Sequence, residues 1–108
     1  MKNLYAVLVL VLCSFISNAQ IVNIPDVYFK NKLLNYTPTI DTNNDGQIQV
    51  SEALLVTELD VSFSNISSMT GIEAFTNLES LICYYNGLTS INLFGLINLK
   101  KLYCSGNN

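Results

Sequence analysis

Three segments of the chain share one alternation of apolar and polar positions. Val56-Thr57-Glu58-Leu59-Asp60-Val61, Leu78-Glu79-Ser80-Leu81-Ile82-Cys83 and Leu99-Lys100-Lys101-Leu102-Tyr103-Cys104 each read apolar-x-x-apolar-x-apolar. Their starts lie 22 and then 21 residues apart. The closing apolar-x-apolar step has the period of a strand with one buried face. A fixed period near 20 residues means that neighbouring units cover one another, so equivalent strands should stack in parallel, roughly 4.8 Å apart. The second and third segments run on into Tyr84-Tyr85-Asn86-Gly87-Leu88 and Ser105-Gly106-Asn107. Asn86 and Asn107 are expected to turn the chain out of the strand, their side chains bonding backbone groups inside the bend. The first segment departs from this, with Ser64 where Asn is expected and Asn65 one place later. Between the strands, residues 71–77 and 91–98 should cross the opposite side as short irregular or 3₁₀ turns. Ile72, Phe75, Leu93 and Leu96 supply their core contacts.

The pattern upstream is different. Ile24-Pro25-Asp26 reads as a helix start, since Pro and Asp both suit a first turn. Val27, Phe29, Leu33 and Leu34 are expected to share one helix face ending near Asn35. Tyr36-Thr37-Pro38-Thr39 breaks that helix. A polar loop and the apolar segment Ala53-Leu54-Leu55 then lead into the first repeat. At the other extreme, Met1-Lys2-Asn3 precedes an apolar run over Leu4–Ile16 and then Ser17-Asn18-Ala19-Gln20. A positive start, a short apolar run and small residues before a cut describe a secretory signal peptide, with cleavage expected before Gln20. A membrane anchor is the alternative, but the run is shorter than the roughly 20 residues a span needs. A lipidated Cys13 is a third reading. It is disfavoured by Leu12, which stands where a small residue is wanted.

The repeated segments resemble the leucine-rich-repeat pattern L-x-x-L-x-L-x-x-N-x-L, at the short spacing of internalin-like bacterial repeats. The resemblance implies an α/β solenoid: a short parallel-sheet array of about 2.5 repeats, with a small helical cap. The expected divisions are a signal peptide at 1–19, an EF-hand-like helical cap at 20–55 and leucine-rich repeats at 56–108, incomplete at the C-terminus. Incompleteness is expected because the third repeat stops before its next leucine, and no polar cap covers Leu99, Leu102 and Cys104.

One stretch carries chemistry. Residues 41–52 read Asp-Thr-Asn-Asn-Asp-Gly-Gln-Ile-Gln-Val-Ser-Glu, which is similar to an EF-hand calcium loop. The likeness implies side-chain oxygens from Asp41, Asn43 and Asp45, a backbone carbonyl from Gln47 and two oxygens from Glu52. Gln49 would hold a water, Gly46 permits the sharp turn and Ile48 packs inward. Hard oxygen ligands at about 2.4 Å suit calcium, which would act structurally. A metal-free capping turn is the competing reading, because EF-hands usually work in pairs and the sequence has a single loop. Dockerins use a similar loop, but they carry it twice and usually close it with Asp.

Charge and the remaining residues narrow the function. After cleavage the chain keeps four lysines and eight acids, 4 − 8 = −4, with neither Arg nor His. That argues against nucleic acid and anionic membranes, which need cationic groups, and no membrane insertion is expected after cleavage. Without His there is no base for a Ser or Cys nucleophile, and no acids are placed as a glycosidase pair, so no enzyme is expected. Cys83 and Cys104 are read as small buried apolar residues rather than a disulfide or metal pair. Outward strand positions should form a concave face on which Asp60, Ile82 and Tyr103 make one column, flanked by Glu58 and Tyr84. Exposed aromatics beside acids are typical of binding surfaces. A solvated face without a ligand, with Glu79 simply pairing with Lys100, is the plain alternative. The sequons at Asn35 and Asn65 carry little weight. The expected function is an extracellular or cell-surface module recognising a protein or glycan. The alternative is a non-catalytic scaffold or targeting part of a longer surface enzyme or adhesin.

Overall fold

The computed structural model describes residues 20–108, and the signal peptide expected at 1–19 lies outside the described residues. Helix α1, Val27–Leu34, and the short helix α2, Val50–Ala53, precede three strands: β1 Glu58–Asp60, β2 Ser80–Ile82 and β3 Lys101–Tyr103. The strands form one parallel sheet in the order β1-β2-β3. Leu59 faces Leu81 and Leu81 faces Leu102, which is the register of the apolar alternation. Between β1 and β2 the chain crosses the far side through a 3₁₀ turn, Ile72–Ala74. Ile72 and Phe75 from that crossing are fully buried, Leu96 from the next is buried, and Leu93 is half-buried.

Asparagines tie the repeats together. Asn86 Oδ1 accepts from the backbone N–H groups of Ser64 (3.0 Å) and Ile66 (3.1 Å), and its Nδ2 donates to Val61 O (3.0 Å). Asn107 accepts from Leu88 N–H (3.1 Å) and donates to Cys83 O (2.8 Å). A second ladder runs along the opposite side, where Asn77 Nδ2 donates to Leu54 O and Asn98 Nδ2 to Thr76 O. Asn86 satisfies backbone groups of the preceding unit that would otherwise be buried without partners, whereas the Asn77 and Asn98 bonds lie exposed.

One apolar core runs through both parts of the chain. Phe29, Leu33, Ile40 and Ile48 from the first part join Leu59, Val61, Ile66, Phe75 and Leu81 from the repeats. Helix α1 differs from expectation at one position: Val27 is largely exposed. Phe29 and Leu33 are four apart and share a face, whereas Val27 lies two positions before Phe29, close to the opposite side of a 3.6-residue turn. The helix is fixed at its start by Asp26. Its Oδ1 accepts from Tyr28 N–H (2.9 Å) and Phe29 N–H (3.0 Å) as an N-cap. Its Oδ2 accepts from Ser67 N–H (2.8 Å) and Ser68 N–H (3.0 Å) in the first repeat. Gly71 closes the same junction: with φ at +109°, a Cβ there would lie 2.8 Å from Ile24 Cγ1 and 2.9 Å from Asn23 O.

Cys83 and Cys104 do not share one environment. Cys83 is fully buried, while Cys104 follows the edge strand β3 and is exposed, as is Leu102 at 39%. The expectation that both are buried apolar residues therefore holds for Cys83 alone. No element among the described residues packs over Cys104. Both thiols are free. Among the described residues no helix is long and apolar enough to cross a membrane.

Candidate functional site

The polar loop between α1 and α2 folds back on itself through its own side chains. Asp41 Oδ2 accepts from Gly46 N–H (3.1 Å), Asn43 Oδ1 from Asp45 N–H (3.3 Å) and Asp45 Oδ1 from Gln47 N–H (3.0 Å). Acceptors spaced along the loop thus point to its inside. Asp41, Asp45 and Glu52 each bring a carboxylate oxygen to within 4.8 Å of the others. Oxygens on opposite sides of a calcium ion at about 2.4 Å stand about 4.8 Å apart, so the three carboxylates can share one ion. Asp41 is buried, and its Oδ1 is the one buried side-chain oxygen among the described residues with no hydrogen-bond partner. A buried carboxylate oxygen without a donor is costly unless a positive group comes to it. Lys30 is the nearby ammonium, but it bonds to Gln47 Oε1 at 2.9 Å. On these observations the donor set fits a hard divalent cation.

Glu52 has a second task. Its Oε1 accepts from Gln49 N–H (2.9 Å), completing a capping box at the start of α2. Its Oε2 accepts from Thr42 N–H (2.8 Å), Thr42 Oγ1 (3.1 Å) and Asn43 N–H (3.3 Å). Glu52 therefore clasps the two ends of the loop by itself, which its place in the loop pattern does not reveal. Gln49, expected to hold a water, instead donates to Asp45 Oδ2 and accepts from Asn43 Nδ2 (3.3 Å). The Asp45 carboxyl lies below the usual range: desolvation pushes it up, but bonds from Gln47, Gln49 and its neighbours outweigh that.

The second candidate is the concave face of the sheet. Asp60 pairs with Ile82 and Ile82 with Tyr103, forming the anticipated column. Asp60 and Glu58 are exposed, Ile82 and Tyr84 half-buried, and Tyr103 exposed. Tyr84 and Tyr103 approach to 6.0 Å between ring centroids, tilted by 38°. Glu79 is bonded to Lys100 at 2.8 Å and is not free for a partner. That pairing holds the Glu79 carboxyl below its usual range and raises Lys100. Asp60 is anchored from behind, where its backbone N–H donates to the Tyr36 hydroxyl at 2.7 Å.

At the end of each strand the sequence reading missed a feature. Phe63 and Tyr85, with φ of 54° and 51°, occupy equivalent left-handed positions, and Gly106 holds the third with φ of 76°. Bulky residues pay about 1–2 kcal/mol for that conformation, which glycine adopts freely. The backbone forces it: Phe63 N–H donates to Tyr84 O and Tyr85 N–H to Ser105 O, both at 2.9 Å. The available signal was the recurrence of this position beside an in-register glycine.

Comparison with known proteins agrees with this geometry. Residues 76–108 match the family model for Leucine Rich repeats (2 copies). A 46-residue stretch is 44% identical to Internalin J of Listeria monocytogenes serotype 4b (strain F2365), covering 43% of this chain and 5% of that protein. The crystal structure of an internalin (inlF) from Listeria monocytogenes str. 4b F2365 aligns with TM-score 0.69 and 26% identity, over 83% of this chain and 27% of that one. A structure of CBM51-2 in complex with GlcNAc and INT domains from Clostridium perfringens ZmpB aligns with TM-score 0.65 and 27% identity, over 78% of this chain and 17% of that one. The chain thus spans a small part of the length of each relative. The repeat match, the three in-register parallel strands and the internalin neighbours together give this chain an internalin-like leucine-rich-repeat fold.

Proposed function

We propose that this chain is the recognition part of an extracellular or cell-surface protein, binding a protein or glycan on its concave face. The observation that carries the reading is the Asp60–Ile82–Tyr103 column, with Tyr84 tilted against Tyr103. These side chains are at least partly open to solvent, and among the described residues the Asp60 carboxylate forms no ion pair. Exposed aromatics beside an unpaired acid are what a binding surface spends side chains on. The internalin relatives support an interaction module, and the leader-like residues 1–19 support export. The test compares capture of extracellular proteins and glycans by the full chain with capture by Tyr84→Ala/Tyr103→Ala and by the far-side variant Phe94→Ala/Ile97→Ala. Loss only in the concave variant supports the reading, and equal capture by all three refutes it.

A second reading has one observation in its favour. The ZmpB neighbour carries a CBM51-2 domain beside its INT domains, and this chain matches 17% of it. On that pattern the repeats serve as a scaffold or targeting part of a longer surface enzyme or adhesin.

We also propose that the loop of residues 41–52 holds calcium structurally, through Asp41, Asn43, Asp45, the Gln47 carbonyl and Glu52. The ion would neutralise carboxylates that otherwise repel one another and would satisfy Asp41 Oδ1. Glu52 and Asp41 then separate two effects. Calcium at about 100 times its Kd should stabilise the full chain by about 2.7 kcal/mol. Asp41→Asn should abolish that gain while leaving the melting temperature in EDTA nearly unchanged. Glu52→Gln should lower the melting temperature even in EDTA, because the loop clasp is lost. No calcium-dependent rise in the wild type would make the loop a metal-free turn.

A further inference from the structure

Beyond the concave column, the strand-exit rim carries an exposed aromatic stack. Phe63 and Tyr85 lie 5.0 Å apart between centroids with their planes 20° from parallel, and they remain 74% and 59% exposed. Tyr85 also covers Gly106, where a Cβ would run into its ring. The pile is therefore Phe63 on Tyr85 on Gly106, and Phe63 presents the free outer face. Both rings sit on left-handed backbone that glycine would hold without strain, and the third repeat does use glycine there. Strain retained at exposed side chains points to function rather than folding.

The surroundings specify the ligand. Residues 61–66, 83–88 and 103–108 carry no charged side chain. A shallow depression of ≈ 480 Å³ beside the rings is lined by Asn65, Asn86 and Gly87 as well as the rings themselves. An uncharged, open surface gives no hold on an anionic or cationic partner. Rings stacked on each other leave no slot between them for a proline side chain, the usual mode for proline-rich segments in aromatic-lined grooves. A flat free ring beside amides instead matches the apolar C–H face and hydroxyls of a pyranose. We propose that the Phe63–Tyr85 rim is a binding site for a neutral polysaccharide chain, adjoining the concave face at Tyr84, whose ring centroid lies 6.5 Å from that of Tyr85.

The test is affinity electrophoresis of the full chain through gels holding hydroxyethylcellulose, galactomannan or glycogen. Polygalacturonate gels and calorimetric titration with decaproline serve as alternatives of different chemistry. Phe63→Gly and Tyr85→Gly remove each ring while easing the backbone, and Phe63→Asn is a second replacement suited to that conformation. The expected result is retardation by at least one neutral polysaccharide, weakened at least about tenfold in each variant. Melting temperatures should be equal or higher, and the far-side variant Phe94→Ala/Ile97→Ala should bind as the wild type. The proposal is overturned if no neutral polysaccharide retards the chain, or if the ring variants bind unchanged. It is equally overturned if polygalacturonate or decaproline is the ligand bound, or if the ring variants lose stability together with binding. Loss of concave-face capture alone would leave this rim intact, so the two surfaces fail separately.

Discussion

Asn86 makes five hydrogen bonds through one buried amide, to Ser64, Ile66, Val61, Cys83 and Tyr84. Its replacement by Ala would strand several buried backbone groups at once, each worth about 1–3 kcal/mol. Asn86→Ala should therefore cost at least about 3 kcal/mol in denaturant unfolding. Asn107→Ala, at a more open position, should cost clearly less. The role of this amide was legible in the sequence because the residue type and its place after the strand recur. The Phe63 and Tyr85 conformations were not, because propensity assigns left-handed backbone to Gly or Asn and these residues break that rule. Cysteine behaviour divides in the same way. Burial pushes the Cys83 thiol up to about 11, aided by the nearby Cys104 and Asp60. It should stay an unreactive thiol at neutral pH. Alkylation of the native chain at pH 8, mapped by mass spectrometry, should mark Cys104 early and Cys83 only after unfolding.

Among the elements, the junction between α1 and the first repeat rests on Asp26. The helix start was readable from Pro25 and Asp26, but the grip on Ser67 and Ser68 was not, since it joins residues 41 and 42 positions apart. Burial acts to raise the Asp26 carboxyl, yet the bonds from Phe29, Ser67, Ser68 and Tyr28 bring it below its ordinary 3.8. A depressed carboxylate contributes stability that is present above its unfolded value and lost as pH falls through the folded one. Asp26→Asn puts an amide NH2 where Oδ2 accepts from Ser67 and Ser68, so it should lower the melting temperature at pH 7, with a cost of about 1–3 kcal/mol. The gap to wild type should narrow from about pH 4 downward, as wild-type Asp26 itself becomes protonated. A gap that stays constant to pH 3 would mean that charge has no part in the junction. The loop before α2 was partly legible too: its oxygen-bearing positions were anticipated, while the clasp by Glu52 emerged only with the fold. A loop pattern names ligands, but not the backbone N–H groups that compete for them.

At the scale of the molecule, a period of 22 and 21 residues was enough to predict parallel strands, their order and the Asp60–Ile82–Tyr103 column. Periodicity determines register because a slip of one residue would turn Leu59, Leu81 and Leu102 out of the core. It does not determine how the preceding helices dock, which depends on Asp26, on Gly71 and on an antiparallel bridge between Ile21 and Gln49. Nor does it show that Asn77 and Asn98 form a second ladder across the opposite side. The result is a solenoid with two dissimilar surfaces, the concave column and the opposite crossing where Phe94 and Ile97 are each 88% exposed. The former is the proposed binding surface. Site-directed photocrosslinking tests it most directly, with benzoylphenylalanine placed at Ile82 in one full chain and at Phe94 in another, both exposed to extracellular material from the source cells. Binding on the concave face should give a discrete adduct from position 82 that excess unlabelled wild type competes away and Tyr84→Ala/Tyr103→Ala does not. An adduct from position 94 alone, or the same adducts from both positions, would contradict it.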